Sequence, residues 1–353
     1  MPDDTAAPRR RWGKREKRLL GGAAMAAVVA VVFAFVLPRI ADYRDVWKII
    51  RELGWEDAAL LTGATVLNLA TFPPSWMAAL PGLRYRQALV MSQAATALSI
   101  VSPAGAAVGM AGSYSMLRSL GFPPGAVGLA VAVSGIWNQL ANLTFPIVAL
   151  ALLTYEDQDH PALRTAALVG MVVLAAVLGA FWLALSNPRR ARQIGDLAAR
   201  LVSRAKRVVR KEPVAWGGED LARFRSRTLD LLERRWHVIT ATTLVGHLTV
   251  FVLLLVCLRA VGVSDSEISW VEAFAAWALV RILGAIPLTP GGLGIVELGL
   301  TGALVAFGAS NADAVAATLL YRALTVLPTL ALGLLAAATW RTHHPRDRLE
   351  SSG

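Results

Sequence analysis

The stretch Leu288-Thr289-Pro290-Gly291-Gly292-Leu293-Gly294-Ile295-Val296-Glu297 interrupts an apolar region with one proline and three glycines. A second interruption, Ser102-Pro103-Ala104-Gly105-Ala106-Ala107-Val108, lies 187 residues earlier. In both, a hydroxyl residue precedes the proline, a glycine follows it by two, and an apolar residue stands three further on. Each break divides a pair of short apolar segments, 87–101 from 105–120 and 269–288 from 291–308. A full-length apolar run precedes each pair, 58–80 and 236–261, and a long run carrying Pro146 or Pro328 follows it. Proline and glycine end helices and free backbone groups, which hydrocarbon tolerates only where protein or water satisfies them. The two breaks therefore read as the tips of two re-entrant helical hairpins. Paired interruptions of this kind are the sequence pointer to a transporter's binding site. The plainer alternative is two kinked hairpins whose small residues, such as Gly105 and Gly109, only allow close packing.

The rest of the chain agrees with a membrane setting. Of 353 residues, 56% are hydrophobic and 17% charged, against about 45–50% and about 25% in a soluble domain. Several windows of about 20 residues carry few or no charges, the length a helix needs to cross about 30 Å of hydrocarbon. This excludes an ordinary globular enzyme, a secreted disulfide scaffold and a disordered protein. The single Cys257 excludes an intrachain disulfide and a cysteine-based zinc site. The first apolar run, 19–37, exceeds the roughly 7–15 residues of a cleavable signal core, so a retained helix is expected. Further full runs fall at 124–153, 161–185 and 313–340. The expected fold is an all-α polytopic membrane protein: about six full transmembrane helices plus two re-entrant Pro/Gly-broken hairpins in an inverted repeat.

Basic residues set the orientation, because lysine and arginine concentrate on the cytoplasmic side. Residues 1–18 hold seven, the 81–86 turn two, Arg118 one, the 186–235 stretch fourteen and the segment after Trp340 three, or 27 of the 35. Both termini are then expected in the cytoplasm of a bacterial cell membrane, with a basic N-terminus at 1–18 and a tail at 341–353. The transmembrane domain, 19–340, divides into a first half (19–185), a basic connector (186–235) and a second half (236–340). On this topology the first hairpin enters from the cytoplasm and the second from outside. The net charge of +11 is then a topology signal and a surface for anionic lipid, not a nucleic-acid footprint. In the connector, Ile194, Leu197, Leu201, Val202, Ala205 and Val208 recur at helical spacing opposite Arg200, Arg204, Arg207 and Lys211, as in a helix lying in the membrane interface. A partner-docking role is the alternative there.

An ionisable residue inside a span costs at least about 2.5–3.5 kcal/mol on insertion scales, so it needs a partner or a purpose. Arg281, Glu297 and Arg322 each lie 11 residues from the outward end of their segment, about 16 Å at 1.5 Å per residue. They can meet at one depth, where Glu297 neutralises one arginine and leaves one positive charge for a phosphate or carboxylate. A salt bridge that only holds the second hairpin to the last span is the alternative. The candidate headgroup site joins these three to Thr289, Pro290, Gly291, Gly292 and Gly294 of the second break, Ser102, Pro103 and Gly105 of the first, and Asn138. Asn138, Gln139 and Asn142 share a helical face and suit interhelical hydrogen bonding, and His247 reads as a hydrogen-bonded packing residue. No P-loop, HExxH or GxSxG motif occurs, so no catalysis, metal or cofactor is expected.

The second break, followed by Tyr321-Arg322, resembles the late PGGxGxxE-type motif and subsequent Tyr-Arg of the lysylphosphatidylglycerol synthase transmembrane region, a family also called flippase-like. Ser102 to Gly109, with Tyr114 and Met116-Leu117-Arg118, is similar to that family's first Pro/Gly hairpin in divergent form. The resemblance runs from about Leu19 to Trp340. It implies translocation of a phospholipid, anionic or modified, between leaflets, with Glu297, Arg322, Gly291, Gly292 and Gly294 as candidates. Members with a fused aminoacyl-transferase domain also synthesise the lipid; this chain has no room for that domain. The expected partners are membrane phospholipids, a second copy of the chain and a separate lipid-modifying enzyme. A non-transporting scaffold or accessory in lipid or glycan assembly is the alternative.

Overall fold

A computed structural model describes residues 51, 53–102, 105–156, 161–208, 212, 214, 217–284, 290–292 and 294–340, and every regular element among them is helical. The expected first span, both terminal segments, Pro103 and Thr289 lie outside the described residues. The helices are α1 (Trp55–Thr71), α2 (Pro73–Ala79), α3 (Tyr85–Val101), α4 (Gly105–Ser119), α5 (Pro124–Glu156), α6 (Pro161–Ser186), α7 (Pro188–Val208), α8 (Gly218–Ala260), α9 (Trp270–Gly284), α10 (Ile295–Phe307) and α11 (Asn311–Trp340), with a 3-10 turn at Pro290–Gly292. Four helices contain stretches long and apolar enough to cross a membrane, within 124–155, 165–183, 218–260 and 311–336. The chain is an all-helical membrane protein. The arms flanking the two breaks, α3 with α4 and α9 with α10, have 17, 15, 15 and 13 residues. At 1.5 Å per residue their described lengths are about 20–25 Å.

Two elements differ from the sequence expectation. The run 58–80 is divided between α1 and α2, because Pro73 and Pro74 open a new helix at its first positions instead of continuing the old one. The break is bridged locally: the Ser75 hydroxyl donates to the Phe72 carbonyl at 2.8 Å. The expected boundary between connector and span at residue 236 is absent, for α8 runs unbroken over 43 residues. That is about 65 Å, roughly twice the hydrocarbon thickness, so its arginine-rich first turns project well past one face. There α7 packs against α8. The Asp196 carboxylate accepts the Gly218 N–H at 2.8 Å, and Arg192 pairs with Glu219 at 3.2 Å. The helices touch through Gly195, where an added Cβ would lie 2.9 Å from Gly218 Cα. Leu197, Leu201 and Val202, the expected apolar stripe of α7, remain exposed.

The halves exchange their long helices. Counting from each break, α3, α4 and α5 of the first half correspond to α9, α10 and α11 of the second. The first arm α3 packs along α11, and reciprocally α9 packs along α5. The helices preceding the hairpins, α1 and α8, pack on each other, with Asn68 Nδ2 donating to Thr249 Oγ1 at 3.3 Å. Small residues permit the approach: a Cβ at Gly333 of α11 would run into Ala97 of α3, and one at Gly109 of α4 would lie 2.9 Å from the Ala95 carbonyl of α3.

Burial is uneven along the helices. One large cluster joins the first part of α1, the last part of α5, the end of α8, α9, the later turns of α10 and the start of α11, and includes Phe145, Leu254, Phe274, Trp277 and Leu304. The opposite half of the molecule holds smaller clusters around Leu83, Met91 and Leu117 and around Val133 and Ile239. One end of the bundle is thus solid, and the other leaves room for a cavity.

Candidate functional site

The second break adopts its shape because its glycines take conformations that side chains resist. Gly291, Gly292 and Gly294 have φ of +60°, +68° and +87°, where only glycine is at home. The turn brings Gly291 against the end of α3: a Cβ there would lie 3.1 Å from the Ile100 carbonyl oxygen. The tips of the two hairpins therefore touch each other.

Glu297 and Arg322 fasten this tip. Glu297 stands in the first turn of α10, and one carboxylate oxygen accepts the Gly294 N–H at 2.6 Å, closing the helix start. The other accepts the Nε–H of Arg322 from α11, whose Nη2 also donates to the Gly291 carbonyl at 3.2 Å. The pair is buried, with 14% of the arginine and 6% of the glutamate side chain exposed. Its two charges cancel.

Arg281 is held differently. Its Nε and Nη2 donate to Asn142 Oδ1 at 3.1 and 2.5 Å, and Nη2 donates to His247 Nδ1 at 2.8 Å. Because a guanidinium only donates, His247 must present a lone pair there, so its ring is neutral with the proton on Nε2. The guanidinium carbon stacks 4.7 Å from the Trp277 ring centre, a favourable cation–π placement. Phe145 and Phe72 meet the His247 ring edge-on, each with centroids 5.9 Å away. All these partners are neutral, so among the described residues no counter-charge meets Arg281.

The groups converge on a cavity of about 420 Å³ lined by both tips, α5, α9 and α11, including Ser99, Gly105, Asn138, Gln139, Asn142, Arg281, Gly291, Tyr321 and Arg322. Ser99, Ala106, Asn138 and Gln139 also line a second cavity of about 810 Å³ that extends between α2, α3, α4, α5, α6 and α8. Its walls are mostly apolar, among them Trp76, Met110, Ile136, Leu143 and Phe181, with scattered hydroxyls such as Ser92 and Thr96. The polar cavity adjoins the solid end of the bundle, and the apolar one occupies the looser half.

Of the residues singled out in the sequence, Arg281, Arg322, Gly291, Gly292, Gly105 and Asn138 line the polar cavity. Glu297 sits behind Arg322, and Gly294 donates its N–H to that carboxylate. Gly105 also packs: a Cβ there would lie 2.7 Å from the Ser99 carbonyl oxygen. Ser102 ends α3 without lining either cavity. Sequence reasoning passed over Ser99 and Trp277, used Tyr321 only as a mark of the resemblance, and read Asn142 as an interhelical hydrogen-bonding residue and His247 as a hydrogen-bonded packing residue without joining them to Arg281. One signal was available for the last two. Asn142 lies 14 residues from the end of α5 and His247 13 from the end of α8, about 20 Å at helical rise, a depth close to that of Arg281.

Among the described residues no group of histidine, cysteine and acidic side chains could hold a metal. The family described as "Lysylphosphatidylglycerol synthase TM region" matches residues 22–333. None of the curated proteins compared with the chain matches it.

Proposed function

We propose, from the premise that this chain belongs to the lysylphosphatidylglycerol synthase transmembrane-region family, that it is a lipid translocase carrying a phospholipid between the leaflets of a bacterial cell membrane. One observation carries the reading: a polar cavity with an uncompensated arginine shares a wall with a larger apolar one. That is the outline of an amphiphile. A soluble anion would have no use for the apolar chamber, and an apolar ligand none for Arg281. The phosphate would take Arg281, and an acyl chain would lie between α4, α5 and α6.

The fold supports this reading further. Tips in contact and the reciprocal packing of α3 on α11 and α9 on α5 suit two re-entrant hairpins in an inverted repeat, flanked by about six full helices. With both termini in the cytoplasm, the looser half faces inward, and this is the conformation that would load from the inner leaflet. Exchange of the open and closed halves would deliver the lipid outward, the alternating-access scheme of inverted-repeat transporters. Glu297 and Arg322 act in this account by holding the second tip, and the chain performs no catalysis of its own.

The test is reconstitution of the purified protein in liposomes with trace fluorescent phospholipids, reading the fraction that becomes accessible to a membrane-impermeant quencher. Protein-containing vesicles should exchange label between leaflets faster than empty ones. Equal rates across several lipid classes would instead favour a non-transporting accessory in lipid or glycan assembly.

A further inference from the structure

We infer that the polar cavity takes a singly anionic phosphodiester headgroup bearing uncharged hydroxyls, and turns away headgroups that carry an ammonium. The inference rests on the translocase reading for its site and names the substrate class. The first argument is the charge balance. Arg322 is cancelled by Glu297, which among the described residues lining the cavity leaves the single charge of Arg281, matched by a phosphodiester and exceeded by a phosphomonoester, whose charge is about −1.5 to −2 at neutral pH. The second is donor geometry. Three of the five guanidinium hydrogens of Arg281 are engaged by Asn142 and His247. The two on Nη1 remain, enough for one anionic oxygen, while the Nε/Nη2 fork that would grip a phosphate or a carboxylate in two places is already taken.

The third argument is what would greet an ammonium. No carboxylate lines the cavity among the described residues. The sequence closes the gap at the breaks, since 98–108, 138–142, 277–300 and 317–325 contain no acidic residue except Glu297, and both oxygens of Glu297 are taken. An aromatic face is the other device that holds a quaternary or primary ammonium. Trp277 offers none, because Arg281 covers it and Phe145, Phe251 and Phe274 pack around it. Among the described residues an ammonium would meet the like charge of Arg281 with no carboxylate to offset it, and only the neutral amides and the Tyr321 side chain beside it. The side chains of Asn138 and Gln139 are exposed on the cavity wall, and their amides suit glycerol or sugar hydroxyls as both donor and acceptor.

Thermal unfolding of the purified full-length protein in detergent tests this, with phosphatidylglycerol, lysyl-phosphatidylglycerol or phosphatidylethanolamine added at equal mole fraction. A ligand that binds only the folded state raises Tm with its affinity. Phosphatidylglycerol should bind about ten-fold more tightly than either ammonium lipid by this measure. Arg281→Gln should abolish the preference. Gln139→Glu, which keeps the oxygen that accepts from Asn142 Nδ2 at 3.1 Å, should shift it toward lysyl-phosphatidylglycerol. Equal or tighter binding of an ammonium lipid, or a preference that survives Arg281→Gln, overturns the inference. Selective binding without leaflet exchange in liposomes upholds it and removes the translocase reading alone.

Discussion

Glu297 shows how little freedom the second tip has. Its carboxylate satisfies its own helix start and the Arg322 guanidinium at once, in a site almost closed to solvent. Removing one partner of a buried pair strands the other and costs about 3–5 kcal/mol, whereas removing both costs much less than the sum. Glu297→Gln and Arg322→Gln should therefore each lower Tm strongly in detergent, and the double variant should recover a large part of the loss. Strict additivity of the two would contradict the pairing. The sequence made this trio legible as far as depth: counting residues from the segment ends brings Arg281, Glu297 and Arg322 to one level. It did not tell which arginine Glu297 takes. That is decided by the first turn of α10 facing α11, with Asn142 and His247 claiming Arg281 of α9 from α5 and α8, and side chains from five helices leave no pattern in any one of them.

The breaks and their flanking arms were readable at the scale of elements, because proline and glycine act locally. The division of α1 from α2 was equally local, yet Pro73-Pro74 sits in an apolar run whose hydropathy hides it. The unbroken α8 was not readable, since its polarity changes sharply near residue 236 while its backbone does not. What joins the elements is the absence of side chains. Gly333 lets α11 lie on α3, with Ala97 where its Cβ would be. Gly333→Leu should overpack this contact and cost about 1–3 kcal/mol, seen as a lower Tm. The exposed Gly179 of α6, with nothing near its missing Cβ, is the control and should tolerate leucine. Equal loss at both positions would mean that the α3–α11 contact is not what Gly333 serves.

At the scale of the whole bundle, a solid half and a hollow half of the described residues meet at the two tips. Cys257 lies in the solid half with none of its surface exposed, while Ser99 lines both cavities. A small thiol reagent should leave Cys257 unmodified and label a Ser99→Cys variant, and on the charge-derived orientation it should do so from the cytoplasmic side. Labelling of Ser99→Cys from outside alone would invert the assigned topology. The central claim is that Arg281, the one uncompensated charge among the described residues of this cavity, carries the lipid headgroup. Leaflet exchange of fluorescent phosphatidylglycerol by Arg281→Gln in liposomes tests it most directly, with the variant's Tm matched to that of the unaltered protein. The account predicts a rate close to that of empty vesicles; a rate equal to that of the unaltered protein would contradict it.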